Sequence, residues 1–298
     1  MPHATSKRCV YTALIGQYER LNEQPMAALS DLPFICLTDD PTLTSDTWEI
    51  RLITPVFDMD PVRSQRQLKM LAHRHLADFD ASLYIDNTVL LEEVPERIFD
   101  RHFPASGLGL PRHSDRESLL DEFHAVARLG LDDPHRIFEQ LNHYSLAHPE
   151  ALDERPYWTA ILLRDHRNAQ VQSAMELWAA HVLRYSRRDQ LSFNVALRHA
   201  GLVPDALEID NHASWFHTWP HMPARNRQGG MRAATRSLQP PIARIRELEQ
   251  QLARQALGLD QRVAQKARRL KQVLSAPGAR WLMALRTLAG GPGRTPPS

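Results

Sequence analysis

Asp86 and Asn87 close a run of strand character, Ser82-Leu83-Tyr84-Ile85, and a second apolar run, Val89-Leu90-Leu91, follows them. An acidic side chain at the C-terminal tip of a buried strand stands where open α/β sheets hold their ligands. A carboxylate with an amide oxygen beside it suits a hard divalent cation shared with phosphate oxygens. The same pair also makes an Asx turn that merely ends a strand. A second charged group, Arg187-Arg188-Asp189-Gln190, sits directly before an apolar-periodic run, where Asp189 is either a helix N-cap or an acid presented to a cleft. The third group is 210–222, with His212, Trp215, Phe216, His217, Trp219 and His221. It reads as an ordered aromatic-packed loop or as a ligand-binding one.

The elements that must position these groups follow from periodicity. Strands are predicted at Cys9–Ile15, Leu32–Thr38 and Trp48–Thr54, and a fourth over Asp80–Leu91 carries the Asp86 motif. Gly16 breaks the first strand, as a turn does or as a close backbone approach to a ligand requires. Pro61–Leu76 reads as a helix with Leu68, Leu71, Ala72 and His75 on one face and Arg63, Arg66, Lys69, His73 and Arg74 on the other. That basic face is a solvated surface or an anion-binding one. Further helices are predicted at Glu117–Leu129, Asp133–His148, Ala169–Ser186 and Gln190–His199, with a return strand at Trp158–Arg164. Strands alternating with such connections predict an α/β sheet with crossovers.

Composition is that of a soluble globular protein: 43% apolar and 24% charged residues over 298 positions. Cys9 and Cys36 lie in apolar strand-like runs without metal-ligand spacing, as buried thiols of a reducing compartment do. No signal-peptide core and no membrane-spanning apolar run is present, so the expected location is cytoplasmic. The formal net charge of +1 conceals an asymmetry: from residue 225 onward there are 15 Lys+Arg against 3 Asp+Glu, leaving 21 basic and 32 acidic residues in 1–224. We therefore expect two regions, an acidic body over 1–224 and a basic helical extension over 225–298. After Pro240-Pro241, Ile245, Leu248, Leu252, Ala256, Leu259 and Val263 step by three and four, a heptad-like stripe that predicts a coiled-coil-like helix and weak self-association. Trp281, Leu282, Leu285 and Leu288 form a short basic amphipathic stretch suited to an anionic membrane surface rather than nucleic acid, which would place the protein peripherally at the inner face.

In order, Val10–Tyr18, Phe34–Asp39, Lys69 with His73, Tyr84–Asn87, Arg112–Arg116 with Asp121-Glu122, Gln140 with Tyr144, and Ser186–Phe193 resemble a glycosyltransferase-like family linked in plants to pectin and mucilage synthesis. The resemblance covers residues 9–200 and implies a GT-A-like fold: a Rossmann-type mixed sheet flanked by helices, here with a helical C-terminal extension. It implies transfer from a nucleotide sugar, a UDP-sugar by expectation, to a glycan or polysaccharide acceptor, assisted by Mn2+ or Mg2+. The Asp-x-Asp metal motif of such enzymes falls on Asp86 and Thr88, so one of two carboxylates is missing. Thr12, Gly16, Tyr18, Asp39, Arg63, Arg66, Lys69, Asp86, Asn87 and His113 would bind the donor, the cations by stabilising the departing diphosphate. Asp189-Gln190 resembles the catalytic pair of the retaining glycogenin-like and lipopolysaccharide-galactosyltransferase families, and Asp189 as a general base would instead imply inversion. Glycogenin-like enzymes also use a late histidine as metal ligand, a role for which His217 is the candidate. The alternatives are a nucleotidyltransferase on a similar scaffold, for which no triphosphate-cradling loop is evident, and a non-catalytic scaffold acting through the basic tail.

Overall fold

The computed structural model describes residues 6–17 and 19–221, together with helical positions 245, 248–253, 255, 256, 258, 264 and 266–268. The chain divides into two compact units, Met1–Ser237 and Leu238–Ser298. In the second, Ile245, Leu248 and Leu252 are helical and exposed. The rest of the heptad-like stripe, apart from helical Ala256, the amphipathic stretch at 280–288, and Tyr18 lie outside the described residues, as does the expected domain boundary at 224/225. Among the described residues no helix is long and apolar enough to cross a membrane.

In the first unit the elements run β1 (Arg8–Leu14), β2 (Phe34–Thr38), β3 (Glu49–Leu52), α1 (Pro61–Met70), α2 (Ala72–His75), β4 (Ala81–Ile85) and β5 (Leu90–Leu91). They continue through α3 (Pro95–His102), β6 (Leu108–Pro111), α4 (Leu119–Leu129), α5 (Pro134–Ala147), α6 (Pro149–Leu152) and β7 (Ile161–Asp165). The last are α7 (Ala169–Arg184), α8 (Gln190–Ala200), β8 (Asp205–Leu207) and β9 (His217–Thr218). Seven strands form one mixed sheet in the order β3-β2-β1-β4-β7-β6-β8. The β3-β2-β1-β4 half is parallel, and β7 then runs antiparallel to β4, with Ile85 opposite Ile161. The fold is thus a mixed α/β sheet flanked by helices, as the sequence predicts.

Alternation along β1 explains why both faces are covered. Cys9, Tyr11 and Ala13 join the core under α1, α7 and α8, whereas Val10 and Leu14 join the opposite core with Ile98, Phe99 and Phe216. A third cluster packs α4, α5 and α6 against Leu191 and Val195 of α8.

Three local departures from the predicted elements bear on the site. The strand predicted over Asp80–Leu91 ends at Ile85, because the turn closed by Val89 N–H on the Asp86 carbonyl (2.8 Å) redirects Leu90–Leu91 into a separate pair with β9. The helix predicted over Pro61–Leu76 breaks at Leu71, whose φ and ψ of −97° and 40° are not helical. Its last carbonyls are satisfied from outside: Arg164 Nη1 donates to Lys69 O (2.7 Å) and Met70 O (3.1 Å), as a cation at a helix C-terminus does favourably. The third is a strand not predicted from the sequence: Leu108–Pro111 supplies β6, which pairs antiparallel with β7.

Candidate active site

A cavity of about 470 Å³ opens at the C-terminal ends of β1 and β4, the place where a sheet of this type offers a crevice. Arg66, Asp86, Asn87, Thr88, His113, Asp189 and Gln190, all expected at the site, line it. The structure therefore brings together residues spread over more than a hundred positions of sequence.

Asp189 lines the cavity, and Lys69 is buried against it. Asp189 stands at the N-cap of α8 but makes no side-chain cap bond, so capping does not account for it. Its Oδ2 instead accepts from Lys69 Nζ at 2.6 Å and from Thr159 Oγ1 at 3.3 Å, with Arg66 Nε at 3.5 Å. Lys69 Nζ also donates to Thr159 Oγ1 (3.1 Å) and lies 3.6 Å from Asp86 Oδ1. Lys69 is 1% exposed and Asp189 2%. Burial pushes the Asp189 carboxyl up, but Arg66, Lys69 and Arg188 together outweigh it and hold the group well below the usual carboxylate range. Burial pushes the Lys69 ammonium down, against the opposing pull of Asp189 and Asp86.

The turn bearing Asp189 is clamped from behind. Asp132 Oδ2 accepts from Ser186 Oγ and from Arg187 N–H, both at 2.7 Å, while its Oδ1 takes the Arg187 guanidinium at 3.0 Å. Gln140 Oε1 accepts from Ser186 N–H (3.2 Å). This gives the Gln140 and Ser186-Arg187 motifs a structural duty: they aim the next two residues. On the far wall, Glu122 is buried and pairs with Arg116 at 3.0 Å. Burial raises its carboxyl, opposed by Arg188 and Arg116.

The other expected residues have different placements. Gly16 (φ 78°) uses its N–H to hold Asp39 Oδ1 at 3.0 Å, and a Cβ there would meet Pro61 Cβ at 2.7 Å, so the position requires glycine. Gly16 and Asp39 thus fix the turn after β1 and do not line the cavity. Thr12 is fully buried in β1, and its hydroxyl makes no hydrogen bond among the described residues. Arg63 is directed away from the cavity, onto the Val182 and Tyr185 carbonyls and Asp60. His113 lines the cavity, with burial and then Arg116 lowering its imidazole to about 4. The basic face of α1 is accordingly no solvated surface: Arg63 and Lys69 are buried.

The expected metal ligands do not assemble a cage. Asn87 is taken at both ends of its amide, accepting from Asn22 N–H (2.8 Å) and donating to Arg20 O (2.8 Å). Thr88 Oγ1 accepts from the Trp219 indole at 3.1 Å. His217 is fully buried with Nδ1 on Ser214 Oγ (2.7 Å) and Nε2 on Asn211 O (3.1 Å), and it does not line the cavity. Asp86 alone remains, accepting from Tyr84 OH at 2.6 Å beside the Lys69 ammonium. Among the described residues no group of three or more His, Cys, Asp or Glu is placed to share a metal ion. The side chains present do not fit a resident Mn2+ or Mg2+.

The sequence model of a known family, described as TOD1/MUCI70, glycosyltransferase-like domain, matches residues 36–203, more than half of the chain. The chain belongs to that family. This glycosyltransferase-like domain includes the Lys69, Asp86 and Asp189 segments, and the match begins after the first strand. No curated protein matches the sequence. Two solved structures are similar: the apo structure of the bifunctional glycosyltransferase WbbM (7% identity, TM-score 0.38, 65% of this chain and 38% of that chain) and apo mouse xyloside xylosyltransferase 1 (10%, 0.34, 65% and 81%). The chain thus spans well under two thirds of the length of the first.

Three residues of the cavity wall, Thr159, Glu122 and Arg188, were not assigned to the site from the sequence. Thr159 lies just before the return strand. Arg188 and Glu122 appear in recognisable motifs, but nothing in spacing showed that they face one cavity.

Proposed function

We propose that the domain is a retaining glycosyltransferase of GT-A type that takes a nucleotide-sugar donor, a UDP-sugar, and transfers the sugar to a glycan hydroxyl. The observation that carries this reading is Asp189: at a helix N-terminus yet released from capping, and held ionised at the wall of a cavity that also presents Asp86 and Gln190. Asp189 Oδ2 already accepts from Lys69 Nζ and Thr159 Oγ1, and a carboxylate so paired is a weaker proton acceptor than a free one, which favours retention over a general-base role. Its negative charge instead suits the positive charge that develops on the sugar's anomeric carbon.

In the reaction so read, the bond between the anomeric carbon and the diphosphate oxygen breaks and its electron pair leaves with the diphosphate. The acceptor oxygen forms the new bond on the same face, and its proton passes to the departing phosphate oxygen. Arg66 and Arg188, lining the same cavity, meet the charge of the leaving group. Asp86, 32% exposed at its side chain, is placed to orient donor hydroxyls. Isothermal titration of UDP, GDP, ADP and CDP tests the reading. One of them is expected to bind, and Arg188→Gln to weaken it by about tenfold or more; absence of binding by all four refutes it.

A further inference from the structure

Two acids of this site already flank a cation. Lys69 Nζ stands 2.6 Å from Asp189 and 3.6 Å from Asp86, bridging the two carboxylates with its own side chain 1% exposed. We propose that Lys69 permanently fills the position of the divalent cation, so that this domain binds and cleaves its donor without a metal ion. The inference rests on the glycosyltransferase reading above and specifies how the site meets its substrate's charge.

Four features converge on this. The ammonium is held there by construction: Lys69's own carbonyl accepts from Tyr11 OH (2.8 Å) and Arg164 Nη1 (2.7 Å), which pins the last turn of α1 against β1 and β7. Thr159, on the segment leading into β7, supplies a third oxygen around Nζ, so carboxylate, carboxylate and hydroxyl surround it as oxygen ligands surround a hard cation. The neighbouring groups that could have completed a metal's shell, Asn87 and Thr88, have their oxygens committed to Asn22 and Trp219. Finally, positive charge for a diphosphate is present in side chains: Arg66, Arg116 and Arg188 line the cavity next to the bridged acids. Guanidinium groups match phosphate oxygens with two parallel N–H donors, which a single ammonium does not. The division of labour is then that Lys69 neutralises the strand-tip acids while the arginines receive the phosphates.

The test has two arms on the full chain. First, UDP, GDP, ADP and CDP are titrated in EDTA and in excess Mn2+. The dissociation constant of the nucleotide that binds is expected to change by less than about twofold; binding that appears only with Mn2+ overturns the proposal. Second, free Mn2+ is followed by its electron paramagnetic resonance signal. Wild type is expected to leave the signal unchanged, whereas Lys69→Ala opens the space between Asp86 and Asp189 and is expected to take up Mn2+, an uptake lost again on adding Asp86→Asn. Uptake by wild type that Asp86→Asn abolishes overturns the proposal, whatever the nucleotides do. No nucleotide binding in either buffer refutes the donor reading, and the Mn2+ arm still decides the place of Lys69. The wild-type measurements stand if Lys69→Ala does not fold.

Discussion

Replacing Asp189 by asparagine keeps the shape of the side chain and removes its charge, and so measures what the buried cluster contributes. In the native protein its carboxylate accepts from Lys69 at 2.6 Å with Arg66 at 3.5 Å, all three side chains being largely buried. The Asp189→Asn variant leaves the Lys69 ammonium enclosed with Asp86 at 3.6 Å as its nearest acid. Removing one partner of a buried pair costs about 3–5 kcal/mol. For a domain of this size that is a drop in Tm on the order of 10 °C. The decisive measurement is a double-mutant cycle by urea unfolding with Asp189→Asn, Lys69→Met and the pair. Because the cost arises from a stranded charge, the double variant is expected to regain about 2 kcal/mol or more relative to additive losses. The pH dependence is fixed too. A carboxyl held well below its unfolded value, about 3.9, contributes its stability fully above that value and loses it only as pH falls toward the folded value. The deficit of Asp189→Asn is therefore the same at pH 7 and pH 5. Additive single losses, or a deficit that shrinks at pH 5, would refute the reasoning.

Two other outcomes follow from the same geometry. His166, buried with Nε2 on Ser82 Oγ (2.8 Å), is held at about 4 by burial and then by Arg164. The unfolded chain, with a histidine near 6.5, binds the proton first, so wild type is expected to lose about 2 kcal/mol between pH 7 and pH 5 that His166→Gln does not lose, as read by urea titration at each pH; parallel slopes would count against it. Arg164→Met removes the donors to the Lys69 and Met70 carbonyls and is expected to cost about 2–4 kcal/mol in urea unfolding and to weaken nucleotide binding through displacement of Lys69. Unchanged affinity in a folded variant would separate α1's anchor from the site.

How much of this was legible beforehand depended on whether a residue's duty was local. The strand-tip position of Asp86 followed from the apolar run before it, and the strands and helices from periods of two and three to four residues. The break at Leu71 did not, because its cause is Arg164, 93 positions away, satisfying carbonyls that a helix end would otherwise leave bare. The basic face of α1 was ambiguous for the same reason: 3.6-residue periodicity shows that Arg63, Arg66 and Lys69 share a side, and only the packing of α7 and α8 against α1 shows that this side is buried. His217 looked available as a ligand because its two hydrogen bonds, to Ser214 and the Asn211 carbonyl, depend on a loop path that composition does not specify. Asp189 was read both as a cap and as a site residue, and the orientation of one side chain separates the two.

The closing strands have a practical consequence. His221 N–H donates to Thr88 O (2.7 Å) and the His221 carbonyl accepts from Asn22 Nδ2 (3.0 Å), while Trp219 and Pro220 line the cavity. The described residues therefore end beside the mouth of the cavity, stitched to a residue 199 positions earlier. A fluorophore attached at His221 would sit within reach of whatever enters, and its emission would report occupancy of the cavity directly, with no need to know the acceptor in advance.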